Sequence, residues 1–160
     1  MKSNNDKKKI NVIFLDVNGV LNSTKKLIDL YIETGKPHLG INYPFDEECM
    51  NNLKYLVEET NSYLIISSSW RKRVDKKEWL LEELRKYDLD KRIIGYTKIL
   101  GPKLDELKNY ILLFSNNINF IVLDDDKRLE SMVDNLIITN SYYGLSKENV
   151  DTGIRLLKKL

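Results

Sequence analysis

Residues 10–22 read Ile10-Asn-Val-Ile-Phe-Leu-Asp16-Val-Asn18-Gly19-Val-Leu-Asn22, and five of the six residues ahead of Asp16 are Ile, Val, Phe or Leu. A short, almost unbroken apolar run of this kind is the pattern of a strand buried on both faces, as inside parallel sheets. It stops at Asp16, with Asn18 and Gly19 just behind. A carboxylate at the C-terminal end of a central parallel strand sits where open α/β sheets bind ligands. Gly19 lets the chain turn sharply there, with φ > 0 if needed. Taken alone, a strand closed by an Asp-x-Asn-Gly turn is the plainer reading. The company the segment keeps further along outweighs it.

Downstream, Tyr63-Leu-Ile-Ile66 is a second buried strand that ends in Ser67-Ser68-Ser69-Trp70-Arg71. Arg92 to Tyr96 reads as a third, shorter strand. Phe120-Ile-Val-Leu123 is a fourth, ending in Asp124-Asp125-Asp126, and Leu136 to Thr139 is the last. Helical spacing separates them. Asp46 caps a helix whose stripe is Cys49, Met50, Leu53, Leu56 and Val57. Further helices run from Asp75 to Tyr87, with Trp79, Leu80 and Leu84 inward, and from Lys103 to Phe114, with Leu104, Leu107, Ile111 and Leu112. A closing helix runs from Lys147 to Lys159. Between the first strand and Asp46, Gly35, Pro37, Gly40 and Pro44 break any long element. Thr24 to Thr34 forms a short helix there, with Leu27, Leu30 and Tyr31 at helical spacing. Strands alternating with helices imply right-handed crossovers and one parallel sheet: a three-layer, Rossmann-like α/β domain.

The chain has 160 residues, with 42% hydrophobic and 31% charged, enough for one domain with a sizeable core. Residues 1–9 read as a disordered basic tail and residues 10–160 as the domain, with a small loop insertion over 22–45. No apolar stretch approaches the ~20 residues of a spanning helix, and the lysine-rich start is not a secretory signal. The lone cysteine, Cys49, cannot form an internal disulfide; it reads as packing in a protein of the reducing cytoplasm. Lys2, Lys7, Lys8 and Lys9 against Asp6 give the tail +3 of the total +2, so the body carries −1. A slightly acidic body has no extended duplex-binding surface. Only the local patch of Arg71, Lys72, Arg73, Lys76 and Lys77 could serve a second phosphate or a polynucleotide backbone.

In a parallel sheet the C-terminal strand ends share one edge, so Asp16, Ser67 and Asp124-Asp125 converge. Lys103, opening the helix that feeds the fourth strand, reaches the same edge. Each group has a task if the ligand is a phosphate monoester. A carboxylate repels a phosphate dianion by about 4 kcal/mol per charge pair at 4 Å and an effective dielectric near 20. A hard cation offsets that, and Mg²⁺ takes carboxylate, phosphate and water oxygens. Asp16 and Asp125 supply its ligands, with Asp124 beside them and the main-chain carbonyl of Asn18 as a further donor. Ser67 offers a hydroxyl and Ser68 a backbone N–H to phosphate oxygens, and Lys103 a balancing charge; Arg71, just beyond, either holds a second phosphate or lies in the solvated first turn of a helix. Asp16 can then attack phosphorus in line.

These motifs resemble those of the haloacid dehalogenase (HAD) superfamily of phosphatases. Its Asp-x-Asp motif corresponds to Asp16-Val-Asn18-Gly19-Val, its strand ending in Ser or Thr to Leu-Ile-Ile-Ser67, its Lys before a helix to Lys103, and its acidic pair to Asp124-Asp125. F-L-D-V-N-G-V-L-N, I-S-S-S-W-R and the late Gly144-Leu-Ser-Lys-Glu-Asn-Val resemble, more narrowly, small members with minimal caps associated with RNA-repair proteins. The resemblance implies a HAD-like fold with the first strand central, Mg²⁺, an aspartyl-phosphate on Asp16, and a phosphorylated substrate, either a small molecule or a nucleic-acid end. Response-regulator receivers use similar residues, but there the acidic pair follows the first strand and the phosphorylated Asp comes later, the reverse of the order here.

One departure stands out. The second aspartate of the family's Asp-x-Asp motif, which protonates the leaving group and later activates water, is Asn18 here. Asparagine can do neither, and losing general acid–base help typically costs 10²–10⁴-fold. The chain is then a slow phosphatase, a catalytically silent phosphate- or nucleic-acid-end-binding domain, or one in which Asp was deliberately replaced. A phosphatase scaffold is the preferred reading because the other motif positions are filled. Of the remaining residues, His38 reads as an exposed loop residue, Trp70 and Trp79 as packing, Asp126 and Glu130 as the start of a helix, and Tyr142 and Tyr143 as surface or core residues near the closing helix.

Overall fold

The computed structural model describes residues 8–37, 43–114, 116–132 and 134–158. Tail residues 1–7, the loop residues His38 and Gly40, and Lys159 lie outside the described residues. Strands β1 (Ile10–Leu15), β2 (Tyr63–Ile66), β3 (Ile93–Tyr96), β4 (Ile118–Asp124) and β5 (Leu136–Ile138) form one sheet in the order β3-β2-β1-β4-β5. All neighbouring pairs are parallel. β1 is central, and the chain builds outward to β3 before crossing to β4 on the other side. The strand order therefore reverses between β1 and β4, where open α/β sheets leave a crevice.

The helices are α1 (Thr24–Thr34), α2 (Glu47–Thr60), α3 (Val74–Arg85), α4 (Lys103–Leu113) and α5 (Lys147–Leu157). Alternation along the strands divides the core in two. Ile13, Leu15, Leu64, Ile66, Ile121 and Leu123 pack with residues of α2, α3 and α5. Val12, Phe14, Ile65 and Val122 pack on the opposite face with Leu107 of α4 and Leu129 of the 3₁₀ turn Lys127–Met132. Phe14 meets Tyr110 and Phe120 edge to face. Each fully buried side chain of this size contributes about 1.5–3 kcal/mol.

The stripe expected on α2 is buried throughout, and Asp46 caps the helix by accepting from Glu48 and Cys49 N–H. Elsewhere the structure differs in detail. β4 starts at Ile118, two residues before the expected Phe120, because Asn119 pairs in register with Asn11 and donates to its side chain at 3.1 Å. α3 starts one residue early, at Val74, and ends at Arg85; the backbone turns left-handed at Asp88. Leu112 is 75% exposed and does not join the stripe of α4. α1 covers its expected residues but buries none of them, so Leu27, Leu30 and Tyr31 do not form a core stripe. It is held at its ends: Ser23 accepts from Lys26 N–H, Thr24 and Lys25 N–H donate to Ser141 and Tyr142 carbonyls, and Gly35 closes it with φ +68°. Among the described residues, no helix is long and apolar enough to cross a membrane.

Candidate active site

The parallel ladders continue one residue past the strands. Asp16 N–H donates to Leu123 O at 3.0 Å, Ser67 N–H to Leu15 O at 3.0 Å, and Thr97 N–H to Ile66 O at 3.1 Å. Thr97, Ser67, Asp16 and Asp124 therefore stand side by side in one row across the sheet. Alternation from Val12 and Phe14, and from Ile65 and Val122, sends the row to the α4 face. Lys103, the first residue of α4, completes the row. Its Nζ lies 3.2 Å from Asp16 Oδ1 and 2.8 Å from Asp124 Oδ2. Asp124 is fully buried, and its other oxygen accepts Asp126 N–H.

Asp125 approaches from the loop after β4. A Cβ built on Gly19 would meet Asp125 Oδ2 at 2.2 Å, and Gly19 has φ +73°. Only glycine lets Asp125 lean over the Asp16 loop while keeping this turn. Thr139 Oγ1 donates to Gly19 O at 2.7 Å and pins the loop to the end of β5. Oxygen atoms of Asp16, Asp124 and Asp125 all lie within 4.8 Å of one another. An all-carboxylate set suits a hard divalent cation such as Mg²⁺.

Charge crowding shows in the proton affinities. Burial, reinforced by the charge of Asp124, pushes the Asp16 carboxyl up to about 6 against the pull of Lys103. Burial and Asp124 raise Asp125 as well. Burial opposes the charge of Lys103, but Asp16 and Asp124 outweigh it and hold the ammonium above its ordinary range. A raised carboxyl stabilises the fold below its unfolded value of 3.8, and that contribution is lost as pH rises through about 6. In chelator, Asp16→Asn is therefore expected to stabilise the protein by about 2 kcal/mol at pH 8 and by almost nothing near pH 4. Urea denaturation at the two pH values checks this, and equal shifts at both would contradict it.

Asn18, two residues past Asp16, is exposed. Its Oδ1 accepts from Trp70 Nε1 at 3.1 Å and from Asn22 Nδ2 at 2.8 Å. Ser67 Oγ is buried with no hydrogen-bond partner, as a hydroxyl awaiting a ligand would be. Ser68 Oγ accepts Trp70 N–H, capping the 3₁₀ turn Ser69–Lys72.

Arg71 corrects the sequence expectation. Its Nε donates to Thr97 O, Nη1 to Ser67 O and Ser68 O, and Nη2 to Lys98 O and to the Glu106 carboxylate. All five N–H donors are spent inside the protein, and both side chains of the pair are 3% exposed. Arg71 ties the Ser67–Ser68 loop to α4 rather than presenting a cation to ligand. The rest of the expected basic patch is also partly engaged: Arg73 pairs with Asp75, Lys76 lies over the Trp70 ring and Lys77 over Tyr96. Trp70 is buried against Phe45, and Trp79 donates to Tyr43 O. Asp126 pairs with exposed Arg128.

Sequence reasoning passed over Thr97, Glu106 and Asn22. Thr97 Oγ1 is buried without a partner, one strand beyond Ser67 in the same row. Its position one residue past the end of β3 was the available signal.

A central parallel strand ending in Asp16, with Ser67, Lys103 and an acidic pair gathered on one edge, defines a HAD-like domain. A family profile described as the HAD domain in Swiss Army Knife RNA repair proteins matches residues 12–150, and the chain belongs to that family. A search of curated proteins gives no match.

Proposed function

We propose that the chain is a Mg²⁺-dependent phosphomonoester hydrolase that works through an aspartyl-phosphate on Asp16 and is slowed by Asn18. The observation that carries this reading is the single row of Ser67, Asp16 and Asp124 with Lys103 bridging the two carboxylates. Asp16 is the nucleophile. Ser67 Oγ and the Ser68 N–H take phosphate oxygens, and Lys103 moves from a carboxylate partner toward the transferring group. Asp16 and Asp125 would hold Mg²⁺, with Asp124, already bound to Lys103 and Asp126 N–H, behind them and Asn18 O as a further donor. A cation there offsets the repulsion between Asp16 and a phosphate dianion.

The only helix inserted between β1 and α2 is α1, so no large cap covers the strand ends among the described residues. An open edge suits bulky substrates, and the family's association with RNA repair proteins supports nucleic-acid ends bearing phosphate. The single buried Cys49 is in keeping with a reducing cytoplasm.

Loss of the acid/base carboxyl at Asn18 favours a second reading, a silent domain that binds phosphate or nucleic-acid ends without turnover. p-Nitrophenyl phosphate separates the two, because its leaving group needs no proton. Slow, Mg²⁺-dependent hydrolysis is expected, falling at least about 10²-fold in Asp16→Ala. Turnover equal in the two proteins would favour the silent domain.

A further inference from the structure

The donors around Asn18 fix which way its amide faces. Trp70 Nε1–H can only donate, and it bonds Asn18 Oδ1. The other bond to that oxygen comes from Asn22 Nδ2, and Asn22 is itself fixed because Gly19 N–H, also a pure donor, bonds Asn22 Oδ1 at 3.1 Å. Turning the Asn18 amide over would set its NH₂ against an indole N–H and a second NH₂, leaving donors unpaired. Two assignments that are ambiguous singly are settled by two backbone and ring hydrogens that are not. The NH₂ of Asn18 is thus turned away from Trp70 and Asn22 and left open to a ligand, two residues along the loop from Asp16. Asn18 is exposed while Asp16, two residues before it, is buried, so the amide stands on the solvent side of the same loop.

A fixed amide donor can hydrogen-bond a departing oxygen, but it has no proton to give. Resting on the hydrolase reading above, we infer that this site takes terminal phosphoanhydrides: the end phosphoryl group of a 5′-di- or triphosphate, on a nucleotide or on a polynucleotide end. Asp16 Oδ bonds to phosphorus as the bridging P–O bond breaks. The electron pair leaves on the bridging oxygen, which is now part of a phosphate anion stable near neutral pH. That oxygen accepts from Asn18 Nδ2. Water then adds to phosphorus, the pair returns to Asp16, and the proton of the water goes to solvent. An alkyl ester reacts far more slowly, because its alkoxide needs a proton as the bond breaks and position 18 holds none.

Phosphoenzyme formation tests this in the unsubstituted Asn18 protein with Mg²⁺, read by rapid quench with radiolabelled donors. Terminally labelled ATP and 5′-triphosphorylated RNA are expected to label Asp16 at least about 10²-fold faster than 3′-phosphorylated RNA or glycerol phosphate. Faster labelling by RNA than by ATP makes the polynucleotide end the source, and faster labelling by ATP makes it the free nucleotide. Asn18→Asp is expected to shrink the anhydride-to-ester ratio by about tenfold or more. A series of aryl phosphates gives a second measurement that needs no variant: labelling in the Asn18 protein falls steeply as the leaving phenol becomes more basic. Equal labelling by anhydride and ester, or a ratio that Asn18→Asp does not change, overturns the inference. Asp16-dependent hydrolysis of p-nitrophenyl phosphate with no labelling from any anhydride overturns it alone. No labelling from any donor in either protein overturns it together with the hydrolase reading.

Discussion

Asn18→Asp is expected to raise steady-state phosphate release from p-nitrophenyl phosphate about 10²-fold and from an alkyl phosphate about 10⁴-fold. The two figures differ because the substitution acts at two steps. Nitrophenolate leaves unaided, so its gain comes from activating water against the aspartyl-phosphate, worth about 2.7 kcal/mol for 10²-fold. An alkyl ester gains in addition from a proton delivered to its leaving oxygen. The surroundings already suit a carboxyl group of the same shape. Trp70 Nε1–H and Asn22 Nδ2–H would keep donating to one oxygen, and the other would take the place of the outward NH₂. The catalytic proton belongs on that outward oxygen, since the inner one is occupied by two donors. Before the gain, the Asn18 protein should show a burst of nitrophenol followed by a slow phase, because its phosphoenzyme forms faster than it decays. An Asn18→Asp protein that folds, binds Mg²⁺ and turns over no faster would leave the silent binding domain as the better reading.

The framework of this site was legible because it depends on local pattern. Five short apolar runs identify five strands, and a polar residue just past Leu15, Ile66 and Leu123 marks the edge where they meet. Parallel pairing then puts Asp16, Ser67 and Asp124 in one row with no further information. What escaped depends on distant partners. Arg71 next to a serine-rich turn looks like a phosphate ligand until Glu106, 35 positions away, is brought against it by the packing of α4. Nothing near Arg71 in the chain signals that encounter. Tyr31 and Leu112 fall at helical spacing, yet α1 crosses no core and Leu112 lies past the edge of its face, leaving them 55% and 75% exposed. Helical spacing sets which residues share a side, not whether anything covers that side. The early start of β4 was hidden for a related reason: Asn119 is a poor strand residue by itself and becomes a good one opposite Asn11.

Arg71→Met is expected to destabilise the protein by about 3–5 kcal/mol, the range for removing one partner of a buried ion pair. The Glu106 carboxylate would stay buried with only the more distant N–H groups of Leu100 and Gly101, at 3.3 Å each, to satisfy it. Four main-chain carbonyls, of Ser67, Ser68, Thr97 and Lys98, would lose a donor at the same time. Burial works against the charge of Glu106, but Arg71 outweighs it and holds the carboxyl below its ordinary 4.5. A lowered carboxyl stabilises the fold above that value and loses the contribution as pH falls through its folded value, so the penalty of Arg71→Met should be larger at pH 7 than at pH 4. Pairing the change with Glu106→Leu removes the stranded charge, and the double variant should recover at least half of the loss. Urea denaturation of the two single variants and the double measures the coupling. If Arg71→Met alone costs under about 1 kcal/mol, within the range of a solvent-exposed pair, the arginine is not the tie between the serine loop and α4. It would then be available to a ligand after all.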